Sequence, residues 1–152
     1  MNRWLLVEFI PTPSFNNEQS PQTNFDAKQI YAALKQSIIS HFGDVGWGAV
    51  GLSLTVKYYS PVTNICIIRV GRDQHKIAWG GLTLLESVQG VRCIPYVIHL
   101  SGTIKHAQLA AITHNRQVIA RYRAKAKAPA AYRDSYESYL ESSTQEIEAM
   151  QD

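Results

Sequence analysis

The hydrophobic periodicity of this chain switches between two residues and nearly four in a fixed order, and that order leaves few folds open. Trp4-Leu5-Leu6-Val7-Glu8-Phe9-Ile10 is a short apolar run ended by Pro11 and Pro13, which predicts a strand buried in the fold. Residues 14–23 are polar and read as a loop. Residues 25–41 predict a helix: Ile30, Leu34 and Ile38 recur at helical spacing, Asn24 or Asp26 can cap the start, and Gly43 ends it. Leu52, Leu54 and Val56 alternate with Ser53, Thr55 and Lys57, which predicts a strand with one buried face. A turn at residues 60–64 then joins it to a strand at residues 65–70, making a hairpin. Asp73 can cap a second helix with Ile77, Leu84, Leu85 and Val88 as its apolar stripe and Trp79 beside it. Gly80-Gly81 costs that helix stability, which predicts close packing against another element. Residues 91–101 read as the last strand, with Pro95 arguing for an edge or a bulge.

The order is β-α-β-β-α-β. It defines an α/β (α+β) sandwich of the ferredoxin-like, split β-α-β kind, with a four-stranded antiparallel sheet and two helices on one face. The other face must be covered or used. A third helix, from Thr103 to about Lys125, is expected to cover it: Ile104, Ala111, Val118 and Tyr122 fall on one side, with Ile112 and Ile119 at the edge. Gln108 and Asn115 lie inside this apolar stripe, and Lys105, Arg116, Arg123 and Lys127 line its border. Pro129 fits the first turn of a fourth helix, striped by Tyr132, Tyr136, Tyr139, Leu140, Ile147 and Met150. The chain is read as a domain over residues 1–125 and an acidic helical tail over 126–152.

Charge is segregated along the chain. Residues 87–133 hold no Asp or Glu but carry Arg92, Lys105, Arg116, Arg121, Arg123, Lys125, Lys127 and Arg133. Residues 134–152 hold no Lys or Arg but carry Asp134, Glu137, Glu141, Glu146, Glu148 and Asp152. A basic block points to a polyanion partner; two packed helices that neutralise each other are the alternative. Ser101-Gly102-Thr103-Ile104-Lys105 opens the third helix with unpaired N–H groups and a full positive charge. It reads either as a plain helix cap or as a place to hold a phosphate.

Other chemistries find little support. Gly46-Trp47-Gly48-Ala49-Val50-Gly51 spells G-x-G-x-x-G, but it follows a helix and precedes a strand, the reverse of a dinucleotide loop, and is read as a tight turn or a close backbone approach. Cys66 and Cys93 have no paired spacing, and Cys66 reads as a buried thiol. His106 and His114 are two turns apart, not one, and the other histidines are scattered. There is no nucleophile elbow, no Walker loop, no signal peptide and no apolar run long enough to span a bilayer. Glu8 is expected to pair with an arginine rather than to act as a base. The expected fold invites comparison with the RNA-recognition motif, but residues 64–70 lack the aromatics on which that motif stacks bases.

A series of short pieces resembles one family: Arg3-Trp4-Leu5-Leu6-Val7-Glu8, the glycines at 48 and 51, and Val56-Lys57-Tyr58-Tyr59. It continues through Thr63, Ile68-Arg69, Trp79, Ser101-Gly102-Thr103-Ile104-Lys105, Gln108 and Asn115-Arg116. In order and spacing these resemble the Pop-five/Rpp-fourteen family, the small α/β protein subunit of ribonuclease P and ribonuclease MRP. The resemblance implies an RRM-like sandwich without the RRM aromatics, in a ribonucleoprotein that removes the 5′ leader of precursor tRNA or processes precursor rRNA. It implies a non-catalytic role, with Mg2+ and the chemistry on the RNA and no cofactor on this chain. It implies as partners ribonuclease P RNA, ribonuclease MRP RNA, the TIM-barrel subunit and other proteins of the particle, with no membrane, in nucleus and nucleolus. The expected RNA-contacting residues are Arg3 and Tyr58 from the matching pieces, Lys57, Arg69 and Arg72 at the hairpin, Gly102, Thr103 and Lys105 at the helix start, and Arg116, Arg123 and Lys127 along the ridge. The competing expectation is a protein-only module that dimerises or docks an acidic partner without RNA.

Overall fold

The computed structural model describes residues 1–12, 25–126 and 133–151. Pro13, the loop at 14–23, Asn24, Lys127, Pro129 and Tyr132 lie outside them. The elements are β1 (Asn2–Pro11), α1 (Ala27–Val50), β2 (Thr55–Ser60), β3 (Ile65–Gly71), α2 (His75–Thr83), β4 (Ser87–Val88), β5 (Val91–Ser101), α3 (Ile104–Ala126) and α4 (Arg133–Glu148). The sheet is antiparallel with order β2-β3-β1-β5-β4. This is the expected β-α-β-β-α-β sandwich, with one short strand added. Gln89 and Gly90, both at positive φ, turn β4 directly into β5, a two-residue hairpin whose first strand is too short to show alternation.

Strand β1 lies at the centre, and its apolar run is explained by burial on both faces. Leu5, Val7 and Phe9 pack with Ile30, Leu34 and Ile38 of α1 and Ala78 and Leu82 of α2. Trp4 and Leu6 face the other way, into a second core with Ile65, Ile67, Ala107, Ala111, Ile112 and Ile147. The second sheet face is therefore covered by α3, as the pattern predicts, and by α4 beside it. Cys66 and Cys93 are buried, and burial raises both thiols above their ordinary range, which keeps them unreactive.

Three local expectations are corrected. The first helical segment of α1 does end at Gly43, which adopts φ 71° and ψ −178°, a conformation costly for any side chain, but a second helical segment that was not expected follows it to Val50. The glycine-rich run 46–51 is thus mostly helical, with Trp47 packed edge-on against Tyr31. Strand β2 starts at Thr55 rather than Leu52, which is 99% exposed, and a bulge between Val56 and Tyr58 shifts its register. Helix α2 begins at His75 after a 3-10 turn (Arg72–Gln74), without a side-chain cap from Asp73. Its buried residues are Ala78, Gly81 and Leu82, while Leu84 and Trp79 are exposed and Val88 belongs to β4. Asp26 does cap α1, in a reciprocal box with Gln29.

The close approach expected of Gly80-Gly81 is found at α1. A Cβ on Gly81 would sit 2.5 Å from Ile38 Cγ1 and 3.3 Å from Leu34 Cδ1. Ser37 Oγ donates to the Gly81 carbonyl at 2.7 Å across the same contact. Gly81→Ala is expected to destabilise the chain by about 1–3 kcal/mol through overpacking, despite alanine's better helix propensity. Urea unfolding followed by circular dichroism checks this, and a neutral or stabilising result contradicts the packing.

Candidate nucleic-acid interface

Antiparallel pairing gathers distant cations at one end of the sheet. Asn2 stands opposite Gly71, and Trp4 opposite Arg69 on one side and Ser101 on the other. The start of β1, the end of β3, the end of β5 and the first turn of α3 therefore meet. This brings together Arg3, Arg69, Arg72, Gly102, Thr103 and Lys105, which are far apart in sequence. The Arg72 amide donates to the Met1 carbonyl at 3.0 Å, closing the corner. The Arg3 guanidinium lies over Gly102, where an added Cβ would come within 3.1 Å of Nη1. Arg72 and Lys105 are exposed and Arg3 and Arg69 half-buried. Among the described residues the one contact between a basic and an acidic side chain within ion-pair distance is His114 with Glu8, so none of these cations is held in an ion pair; Asp73 is the acid beside Arg72. Arg69 makes a long contact to Thr55 Oγ1 at 3.4 Å, and its Nε is buried without a hydrogen-bond partner.

The Ser101–Lys105 stretch is a cap in its geometry. Thr103 Oγ1 accepts from the His106 amide at 3.3 Å, and the Thr103 carbonyl accepts from Ala107. Gly102 and Thr103 are exposed beside it, so the cap stands open to solvent within the cationic corner.

Lys105, Arg116 and Arg123 are all exposed along one border of α3, spaced over about 27 Å of helix. That border runs beside α4. The two helices are antiparallel, with Gln108 donating to the Ile147 carbonyl, Asn115 to Ser143 Oγ, and the Arg123 guanidinium 5.8 Å from the Tyr136 ring centroid. In this register Arg116 stands level with the exposed Glu141, and Arg123 with the exposed Glu137. The basic and acidic blocks thus lie alongside each other without forming ion pairs among the described residues. The sheet end gathers its cations where three strands meet an open helix start, whereas Arg116 and Arg123 are strung along one helix border. The sheet end is the stronger candidate for holding phosphate.

Two expected contacts are placed elsewhere. Tyr58 is a core residue: it is 7% exposed, its hydroxyl bonds Ser143, and burial pushes its phenol up to about 12. Lys57 is half-buried at the β2 bulge, on the sheet edge, lining a shallow cleft with Phe25, Asp26 and Glu146.

A polar network, not anticipated from the sequence, fastens α3 and α4 to the β2–β3 turn. Thr63 Oγ1 donates to Asn115 Oδ1 at 2.7 Å, and Asn115 Nδ2 donates to Ser143 Oγ at 2.9 Å. Ser60 bonds Tyr139, which also lies 3.2 Å from Thr63. The available signal was Asn115 itself, an amide inside an apolar stripe.

Glu8 pairs with a histidine rather than the expected arginine. Its Oε2 is 3.5 Å from His114 Nε2, which lacks hydrogen-bonding geometry to any group. Desolvation lowers the His114 pKa; Glu8 opposes this and Arg121 reinforces it. Because the folded state holds this proton less tightly than the unfolded chain, His114 makes folding less favourable as pH falls through its unfolded value near 6.5. Urea midpoints are expected to drop between pH 7.5 and 5.5, and His114→Leu is expected to flatten that drop. An equal pH dependence in the variant contradicts this.

The architecture defines a class: an RRM-like α+β sandwich whose second sheet face is closed by helices instead of offering a central stacking surface. Comparison with known proteins narrows the class. The family model for the Rpp14/Pop5 family matches residues 3–112. The chain belongs to the Rpp14/Pop5 family. It is similar to the ribonuclease P/MRP protein subunit POP5 of Schizosaccharomyces pombe, 41% identical over 112 residues, covering 74% of this chain and 78% of that one. It is similar to the Danio rerio POP5 subunit, 31% identical over 145 residues, covering 91% and 83%. Among solved structures it resembles a chain in a cryo-EM structure of yeast ribonuclease MRP. That match has a TM-score of 0.52 at 11% identity, covering 68% of this chain and 75% of that one, and supports the shared fold.

Proposed function

We propose that this chain is an RNA-binding, non-catalytic protein subunit of ribonuclease P, and also of ribonuclease MRP. The observation that carries the reading is membership of the Rpp14/Pop5 family, whose matched relatives are named as subunits of both particles. The sheet-end cations support it physically. Arg3, Arg69, Arg72 and Lys105 form a cationic corner, free of ion pairs among the described residues, next to an open helix start suited to a phosphate backbone. The protein stabilises the RNA core, and the RNA carries Mg2+ and the chemistry that removes 5′ leaders from precursor tRNA or processes precursor rRNA. The TIM-barrel subunit of the same particle is the proposed protein neighbour, and nucleus and nucleolus the proposed location. Depleting the chain from its own cells is expected to accumulate precursor tRNAs with uncut 5′ leaders. Normal leader removal after depletion contradicts the reading.

A further inference from the structure

Helix α3 crosses the second sheet face diagonally. It begins where β5 ends and passes over the β2–β3 turn, where Asn115 meets Thr63 and Tyr122 donates to the Val62 carbonyl at 3.2 Å. The diagonal leaves the opposite corner, the end of β1 beside the start of β5, outside its cover. Side-chain burial alternates there: Cys93 and Pro95 are buried toward the first core, while Arg92, Ile94 and Tyr96 are exposed. Ile10 pairs with Ile94, and Glu8 with Tyr96, so Ile10 joins the same exposed face. Tyr96 is 57% exposed, Ile94 56% and Ile10 41%.

The surroundings of this corner are cationic. Arg92 lies on the same face of β5 as Ile94 and Tyr96. Arg121, exposed on α3, is two helical turns past His114, the residue that meets Glu8 at the corner's edge. Glu8, opposite Tyr96 in the strand register, lies 3.5 Å from His114 Nε2 at the corner's edge. An exposed aromatic ring beside aliphatic side chains and flanked by guanidinium groups matches what an unpaired nucleotide needs. The ring offers a π-face to a base, and the arginines meet its phosphates.

We infer that this uncovered corner binds a single-stranded RNA segment, one base stacking on Tyr96 between Ile10 and Ile94, with Arg92 and Arg121 holding the adjoining phosphates. The inference rests on the RNA-binding reading above but concerns a different surface from the sheet-end cations. It also relocates the aromatic platform: the third strand lacks one, and the fifth carries it.

The test uses the full-length chain and a fluorescent unstructured RNA 12-mer, comparing Tyr96→Phe, Tyr96→Leu and Tyr96→Ala. Tyr96 is surface-exposed, so all three are expected to fold. Stacking predicts that the phenylalanine variant binds within about twofold of the parent, while the leucine and alanine variants lose about fivefold or more. A 4-thiouridine-substituted 12-mer is expected to crosslink to the peptide containing Tyr96. Unchanged affinity in the alanine variant, or full affinity in the leucine variant, overturns the stacking site. If such a variant keeps its RNA affinity but loses a protein of the particle, the corner is a protein contact and the inference also fails. These outcomes leave the RNA-binding reading standing as long as the parent binds RNA. A parent chain that fails to bind RNA at all overturns both.

Discussion

Asn115→Leu is expected to lower the stability of the folded chain by about 2–4 kcal/mol, although leucine suits both the helix and the apolar surroundings. Asn115 is 1% exposed and bonds two side chains at once, Thr63 on the β2–β3 turn and Ser143 on α4. Leucine cannot accept from the first or donate to the second. Both hydroxyls stay buried and keep one neighbour each, Tyr139 beside Thr63 and Tyr58 beside Ser143. The loss should exceed that of one hydrogen bond, because two buried polar groups lose part of their satisfaction together. Limited proteolysis is expected to cut within α4 more readily in the variant, since this network joins α4 to the sheet. A double-mutant cycle with Thr63→Val is expected to show a coupling of about 1 kcal/mol or more. A change within about 0.5 kcal/mol in equilibrium urea unfolding contradicts the network.

The combined variant Arg3→Gln, Arg72→Gln, Lys105→Gln is expected to give the largest functional effect. Each neutralised phosphate contact removes roughly 0.7–0.9 from the slope of log affinity against log salt, so the slope should fall by roughly 2–3. At about 0.1 M salt this corresponds to roughly a hundredfold loss of affinity. The fold should survive, since none of these side chains makes an ion pair among the described residues. Arg116→Gln with Arg123→Gln is expected to cost less per charge, because those arginines are strung along one helix border instead of converging on an open helix start. Filter binding to ribonuclease P RNA across a salt series checks both variants. An unchanged slope in the first, or a larger change in the second, contradicts the assignment of the sheet end as the main phosphate surface.

The features legible from sequence were those written in local chemistry. The apolar run at Trp4–Ile10 announced a central strand, and period-two and helical patterns gave the sandwich. The capping chemistry of Asp26 was visible as a local residue choice. What escaped depended on tertiary partners. Gly43 ends a helical segment as its residue type suggests, but the second segment that starts beyond it and runs to Val50 was not legible in a glycine-rich run. Tyr58 belongs to a matching motif, yet strand register at the β2 bulge turned it into the second core. Asn115 stood out as polar within an apolar stripe, while its partners on two other elements could not be read from one helix. The cationic corner was legible only in part: Lys105 and Arg72 were named separately, and antiparallel pairing made them neighbours. Tyr96 was not legible as a stacking residue because it lies on the fifth strand, and which corner α3 leaves bare is set by the direction in which that helix crosses the sheet.

The central claim is that this chain works on the RNA of ribonuclease P and ribonuclease MRP. Ultraviolet crosslinking in its own cells, followed by stringent purification of the chain and sequencing of the attached RNA, tests that claim most directly. The account predicts that the two particle RNAs dominate the recovered sequences. It also predicts fewer crosslinks when Arg3, Arg72 and Lys105 are neutralised, while the protein remains folded. Recovery of neither RNA above background, from a chain that is folded and expressed, would contradict it.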